Sequence, residues 1–388
     1  MTFVTSEDRA YKAVQWATFQ AEAAEMAEGC EDWKVDSRGT AYVPGDRLRF
    51  TTDLSGGPGQ PKVQGLGDLT PHAFGQLLER LDGPPAQWTG NPKHTDGDLR
   101  AAVMNDLIRA RKPVELLLRT RGDTLRAVLS DQYGPFDNVE LLDMVGGAIS
   151  QMGEAAGDVR VHKAQVGDEL RGYVLLPGIT FAPEPTGGKP GGGMTTPDGW
   201  LPGDGRGNGG NLHPGIYVSN SEIGSGKVRI HGGLFRGACS NGMIYGWGAK
   251  DQGALELIHR GSSRRTMTSA VSDALVAALR LSEAGAERFI ASQAEILEPR
   301  AIPKLAREWG DRYGLTLPSI EAWTTLVGAE AAANGRPKAA LFDLVNGLTF
   351  LARDKRGQEG ETMERLAGDL LFAELPVSAY VATGRISG

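Results

Sequence analysis

The chain has 388 residues, enough for two or three domains or for one domain with extensions, and 40% of them are apolar, which supports a buried core. Its formal charge of −7 argues against a uniformly basic nucleic-acid binder, since net repulsion would oppose approach to phosphates, but leaves local basic patches open. Two cysteines, Cys30 and Cys239, exclude a disulfide framework and a zinc site built on CxxC pairs, and they fit a reducing compartment.

The polar, acidic start carries no apolar signal region, and no window approaches the roughly 18 uninterrupted apolar residues of a membrane helix. A soluble, cytoplasmic protein without a membrane contact is therefore expected. Thr5 and Asp8 form a capping-box pattern ahead of a first helix with Tyr11, Val14, Trp16 and Phe19, ending at Gly29. Strand patterns follow at Thr40 to Val43 and Arg47 to Thr51, and Gly56-Gly57-Pro58-Gly59 then breaks the chain. Thr70-Pro71 opens a second helix with Phe74, Leu77, Leu78 and Leu81 on one face, and Leu99, Val103, Leu107 and Ile108 mark a third, ending near Pro113.

Val114 to Thr120 and Thr124 to Ser130 flank Arg121-Gly122-Asp123 and read as a hairpin. A helix is expected from Asn138 to Met152, and a second hairpin from Val159 to Val166 and Glu169 to Leu176 about Gly167-Asp168. Hairpin, helix, hairpin predicts an α+β fold, an antiparallel sheet packed on helices. The stretch 183–214 is so rich in Gly and Pro that a long, mobile loop is expected. Strand-like runs at Ile216 to Ser219, Lys227 to His231 and Phe235 to Tyr245, joined through Gly224-Ser225-Gly226 and Gly232-Gly233, complete the sheet. Helical periodicity then runs from Thr268 to Leu297, Ala301 to Trp309, Ser319 to Ala333, Lys338 to Arg353 and Glu361 to Phe372. The expected division is 1–68 for the N-terminal helix and strands, 69–265 for the α+β core, and 266–388 for a helical lobe.

One segment carries a likeness. Tyr217-Val218-Ser219-Asn220-Ser221-Glu222-Ile223-Gly224, followed by Leu234-Phe235-Arg236-Gly237-Ala238-Cys239-Ser240-Asn241-Gly242-Met243, resembles the signature of a phage/plasmid-like family of unknown function (domain of unknown function 932), an NSxxG turn and then C-[ST]-N-G-M. Ala127 to Tyr133 with Asp137-Asn138 is similar to that family's hairpin-to-helix passage, and Ala73 to Leu78 to its early helix. Leu344 to Thr349 resembles its C-terminal helix, which commonly reads NAxT where this chain has Asn346-Gly347-Leu348-Thr349. The resemblance spans residues 69–354 and implies a bacterial host cell and an association with mobile DNA. By fold pattern alone the chain also looks similar to phage single-strand annealing proteins.

The residues themselves point to no catalytic constellation. Asn220 with Gly224, and Asn241 with Gly242, read as turn-makers, because their spacing matches neither a metal cage nor a nucleophile elbow. Cys239 reads as a buried thiol, since none of His213, His231 and His259 is fixed beside it by sequence, and no recurrent metal spacing joins them. Gly224-Ser225-Gly226-Lys227-Val228 lacks the first glycine and the Ser/Thr of a phosphate-binding loop, so no ATP or other cofactor is expected.

What remains is electrostatic. Between Pro214 and Arg265 seven Lys/Arg stand against three acids, a local +4. Lys227, Arg229 and His231 alternate on one strand face, with Arg236 beside Phe235 on a neighbour. Arg126, Tyr133, Arg260, Arg264 and Arg265 could extend the same groove, with aromatics stacking bases and cations tracking phosphates. The expected function is a phage or prophage DNA-metabolism protein that binds single-stranded DNA as a homo-oligomer, in recombination or annealing, without nucleotide hydrolysis. The alternative is a non-enzymatic scaffold or host-interaction protein.

Overall fold

A computed structural model describes residues 14–53, 62–85, 97–179, 212–236, 241–244, 255–259, 264–333, 336–353, 355 and 358–380. The fold is α+β, with two sheets and a helical C-terminal region. Strands β1 (Val14–Gln15), β8 (Arg160–Gln165), β9 (Glu169–Leu175), β10 (Leu212–Ser221), β11 (Val228–Arg236) and β12 (Asn241–Ile244) lie in that order in sheet A, and β13 (Leu255–Leu257) also pairs with β11. Every pairing in this sheet is antiparallel. Sheet B runs β2 (Cys30–Asp36), β6 (Glu115–Arg121), β7 (Thr124–Ser130), β5 (Lys62–Leu69), β4 (Arg47–Asp53) and β3 (Thr40–Val43). Among the described residues only its β5–β7 pair is parallel. The sheet curls enough to bring Trp33 of β2 within 5.8 Å of Phe50 of β4, ring centroid to ring centroid.

The two expected hairpins therefore belong to different sheets, β6–β7 to sheet B and β8–β9 to sheet A. Sheet B also crosses the boundary expected at residue 68, since the strands of residues 30–69 pair with one another and with the 115–130 hairpin. In β5 the alternation of side chains is interrupted by Gly65 and Gly67, which hides it from a periodicity reading.

Helices cover the sheets where their apolar stripes dictate. On sheet B lie α2 (Pro71–Arg80), opened by Pro71 and by the Thr70 hydroxyl accepting from Ala73 N, and α3 (Gly97–Ala110). On sheet A lie α1 (Trp16–Ala27), α4 (Asn138–Met152) and the first half of α5 (Arg264–Ala291), around Phe19, Leu141, Val145, Ile216, Val218, Ile230 and Leu275. The second half of α5 enters a separate core with α6 (Ala301–Arg312), α7 (Leu317–Ala333), α8 (Leu341–Arg353) and α9 (Gln358–Phe372). That core is centred on Trp323, fully buried, whose indole N–H donates to Leu344 O at 2.8 Å. Gly232-Gly233, expected to divide two strands, lies inside β11. A Cβ on Gly232 would stand 2.5 Å from Ala278 O, so glycine is what lets α5 pack directly on the strand. Among the described residues no helix is long and apolar enough to cross a membrane.

The capping-box residues Thr5 and Asp8, Tyr11, residues 183–211 of the glycine-rich stretch 183–214, Arg260 and Cys239 lie outside the described residues.

Candidate functional site: a cationic cleft on sheet A

Sheet A has one apolar and one polar face. On β10 the even positions Ile216 and Val218 enter the core, so Tyr217, Ser219 and Ser221 share the opposite face. Register extends that face across three strands. Ser219 stands between Arg171 of β9 and Arg229 of β11, and Tyr217 between Tyr173 and His231. Ser221 is opposite Glu169, with Lys227 just ahead of β11 on the other side. The polar face is thus built in rows, with Glu169, Ser221 and Lys227 at the rim, Arg171, Ser219 and Arg229 in the middle, and Tyr173, Tyr217 and His231 at the bottom.

Helix α9 closes this face. Its apolar side packs into the C-terminal core through Met363, Leu366 and Leu370, which leaves Glu361, Glu364 and Arg365 for the sheet. Glu364 is buried and bonds both Lys163 Nζ and the Tyr173 hydroxyl. Glu361 reaches Arg171 at 3.6 Å and Arg229 at 3.7 Å. A polar cleft of ≈ 190 Å³ remains between strands and helix, lined by Arg171, Lys227, Arg229 and Arg365 and by the carboxylates Glu169 and Glu361, with the side chains of Ser219, Ser221 and Ser225 completing its wall.

The electrostatics follow from burial. The His231 imidazole, 1% exposed, is pushed down to about 4 by burial, with Arg229 and Arg365 adding to the effect against the pull of Glu256. Burial raises the phenols of Tyr173 and Tyr217 well above their ordinary range, with Glu364 and Glu361 respectively reinforcing it. Burial would also raise Glu169, but the Ser225 hydroxyl and Arg171 outweigh it and hold the carboxyl below its usual value. Arg365 is lowered by burial, and Arg229 beside it pushes the same way.

Of the residues expected to bind nucleic acid, the structure brings Lys227 and Arg229 together in this cleft. Both also hold Glu256, Lys227 at 2.8 Å and Arg229 at 3.7 Å. Arg126 and Tyr133 lie elsewhere, and this corrects the expected groove. The β6–β7 hairpin faces the turns of sheet A, so Arg126 is 2% exposed and its Nη1 bonds Asp168 and Glu222. The Tyr133 hydroxyl donates to Ser221 O at 2.9 Å, and its ring stacks on His259 with centroids 4.8 Å apart. Phe235 and Arg236 fall on β11, and Arg264 and Arg265 open α5, with only their backbone described.

The expected turn-makers divide. Gly224 sits at φ +77 in the β10–β11 turn, and a Cβ there would meet Leu129 Cδ2 at 2.6 Å. Asn220 is instead a buried strand residue whose amide donates to Phe136 O and Asn138 Oδ1, both at 2.9 Å. Asn241 and Gly242 also lie in a strand, β12, in register with Arg236 and Phe235.

The whole Asn220–Gly224 segment is a latch. Glu222 accepts from Asn138 N at 2.8 Å and from Arg126, while its carbonyl accepts from Arg119 at 2.8 Å. Ile223 O is held by Gln76 at 2.8 Å and by the His72 ring at 3.1 Å. Arg119, 2% exposed, also pairs with Asp32 and Asp137. One turn of sheet A is in this way fastened to sheet B, α2 and α4.

Sequence reasoning passed over Arg171, Glu361 and Arg365. A signal was present, since β9 alternates Leu170, Gly172 and Val174 with Arg171 and Tyr173, and α9 repeats Glu361, Glu364 and Arg365 at helical spacing.

Among the described residues no group of three or more His, Cys, Asp or Glu side chains is arranged to hold a metal ion. His213 and His231 share a face of sheet A, but His213 is opposite Phe235 and His231 opposite Tyr217, four positions away along the strand. The His213 ring bonds Ile179 O at 3.1 Å. Fold and site together define a two-sheet α+β protein with a cationic cleft. Comparison with protein-family models, with curated proteins and with solved structures finds no match.

Proposed function

We propose that the protein binds single-stranded DNA through the cleft on sheet A, as a phage or prophage DNA-metabolism protein acting in recombination or annealing as a homo-oligomer, without hydrolysing nucleotides. The observation that carries this reading is the gathering of Arg171, Lys227, Arg229 and Arg365 from two strands, the turn that leads into β11 and a helix into one polar cleft on a chain whose net charge is −7. Fixed cations opposite the sugar-phosphate chain bind without reading sequence, and they gain from counterion release. The likeness of Tyr217–Met243 to proteins of mobile DNA supports the same reading.

Labelled oligonucleotides titrated by anisotropy at low and then rising salt test it. Binding that weakens with salt supports the proposal, and no binding at low salt, where phosphate contacts are strongest, refutes it. Size-exclusion with light scattering adds the second half. A large homo-oligomer that shifts with DNA supports annealing. The interleaving of Glu169, Glu256 and Glu361 with the cations would equally suit a protein partner of mixed charge, and a monomer indifferent to DNA would favour that scaffold reading.

A further inference from the structure

Resting on the nucleic-acid reading, we propose that the cleft is a subsite for the terminal phosphomonoester of a strand, and that it takes a strand end in preference to an internal phosphodiester. Size comes first. At ≈ 190 Å³ the cleft holds about six waters' worth of volume and falls below the roughly 300 Å³ at which drug-sized pockets begin. It suits one phosphate group of a strand at a time.

Shape agrees. Along the sheet the cleft stops at Arg171, Ser219 and Arg229, because the next row, Tyr173, Tyr217 and His231, is buried, with the Tyr173 hydroxyl bonded to Glu364 of α9. A continuous strand has no path along the sheet past that buried row. A chain end needs none.

Charge selects the ionic form. Four cations line the cleft against two carboxylates, an excess of two positive charges, with Glu256 behind them outside the lining. A phosphomonoester carries a charge of about −1.5 to −2 at neutral pH, and an internal phosphodiester only −1. Glu361 holds Arg171 and Arg229 at 3.6 and 3.7 Å, longer than the about 2.7–2.9 Å of direct charged hydrogen bonds, while Glu169 holds Arg171 at 2.7 Å and Glu256 holds Lys227 at 2.8 Å, so an incoming oxyanion displaces the loose Glu361 contacts and competes with those two close pairs.

The test uses the full chain and one internally labelled single strand carrying a 5′ phosphate, a 3′ phosphate or neither, read by anisotropy at low salt with wild type, Lys227→Gln and Arg365→Gln. A phosphorylated strand is expected to bind about tenfold tighter than the unphosphorylated one. Inorganic phosphate should cancel the advantage, and both variants should lose it. Whichever of the 5′ and 3′ strands gains identifies the end recognised. Lys227 is at the exposed rim, so its variant is the control against misfolding. Equal affinity for all three strands overturns the subsite and leaves the DNA reading standing, while binding of none overturns both. An advantage that survives in both variants places the phosphate elsewhere and overturns the assignment.

Discussion

Arg126 of β7 and Glu222 of the β10–β11 turn meet with Nη1 2.9 Å from Oε2, their side chains 2% and 6% exposed. The pair joins the two sheets, and Asp168 and Asn138 N complete it from the neighbouring turn and helix. Removing Arg126 leaves the Glu222 carboxylate buried with the Asn138 N–H as its side-chain partner, and removing Glu222 leaves the buried guanidinium with Asp168. Arg126→Ala and Glu222→Ala should each destabilise the protein by about 3–5 kcal/mol, and Arg126→Met with Glu222→Leu should cost less than the sum. Urea unfolding measures this. A loss under about 1 kcal/mol in both single variants would mean that the pair is an ordinary surface bridge.

Acid should weaken the fold before the carboxylates titrate. His231 keeps its neutral form down to about 4 when folded but takes up a proton near 6.5 when unfolded, so the unfolded state binds more protons between those values. Stability should therefore fall as pH drops from 6.5 towards 4, by up to about 3 kcal/mol from this residue. Buried His213 and His259, both held low by burial, act in the same direction. Glu169 and Glu256 are held below the usual carboxylate value, so their contributions are present above it and are lost only lower down. Urea midpoints from pH 7 to 4.5 should slope downwards for wild type and flatten in His231→Asn.

Lys227 separates binding from stability. Its bridge to Glu256 is 43% and 30% exposed, which limits its worth to about 0–1 kcal/mol. Lys227→Gln should unfold at nearly the wild-type urea concentration while losing affinity for single strands. A variant that loses stability and keeps affinity would remove Lys227 from the binding surface.

Gly347 stands where the NAxT pattern expected from the sequence has alanine. The position is in the interior of α8, and an added Cβ would meet Val327 N at 3.4 Å and Leu326 at 3.5 Å, ordinary contacts. Gly347→Ala should stabilise the fold by about 0.5–1 kcal/mol, read as a raised urea midpoint. A lowered midpoint would show that α7 and α8 are packed too closely for the methyl group.

Local signals carried much of the fold. Thr70-Pro71, the stripe Leu141, Leu142, Val145 and Ile149, and the flanks of Gly122 and Gly167 announce α2, α4 and two hairpins within a few residues of where they lie. Pairing between distant segments has no such local signal, so two sheets could not be told from one. The same limit explains the site. Lys227 and Arg229 were legible from alternation on one strand, whereas Arg365 and Glu361 arrive from more than a hundred residues away on α9. Arg126 looked identical to them in sequence. Its carboxylate partners, Asp168 and Glu222, come from other turns and put it in the interior.

The salt dependence of single-strand binding, compared between wild type and the Lys227→Gln/Arg365→Gln double variant, tests the central claim most directly. Each cation withdrawn from a phosphate should reduce the slope of log K against log salt by roughly 0.7, so a reduction of about 1.4 with weaker binding is expected. An unchanged slope in the double variant, or no binding by wild type at low salt, would contradict the assignment of the cleft.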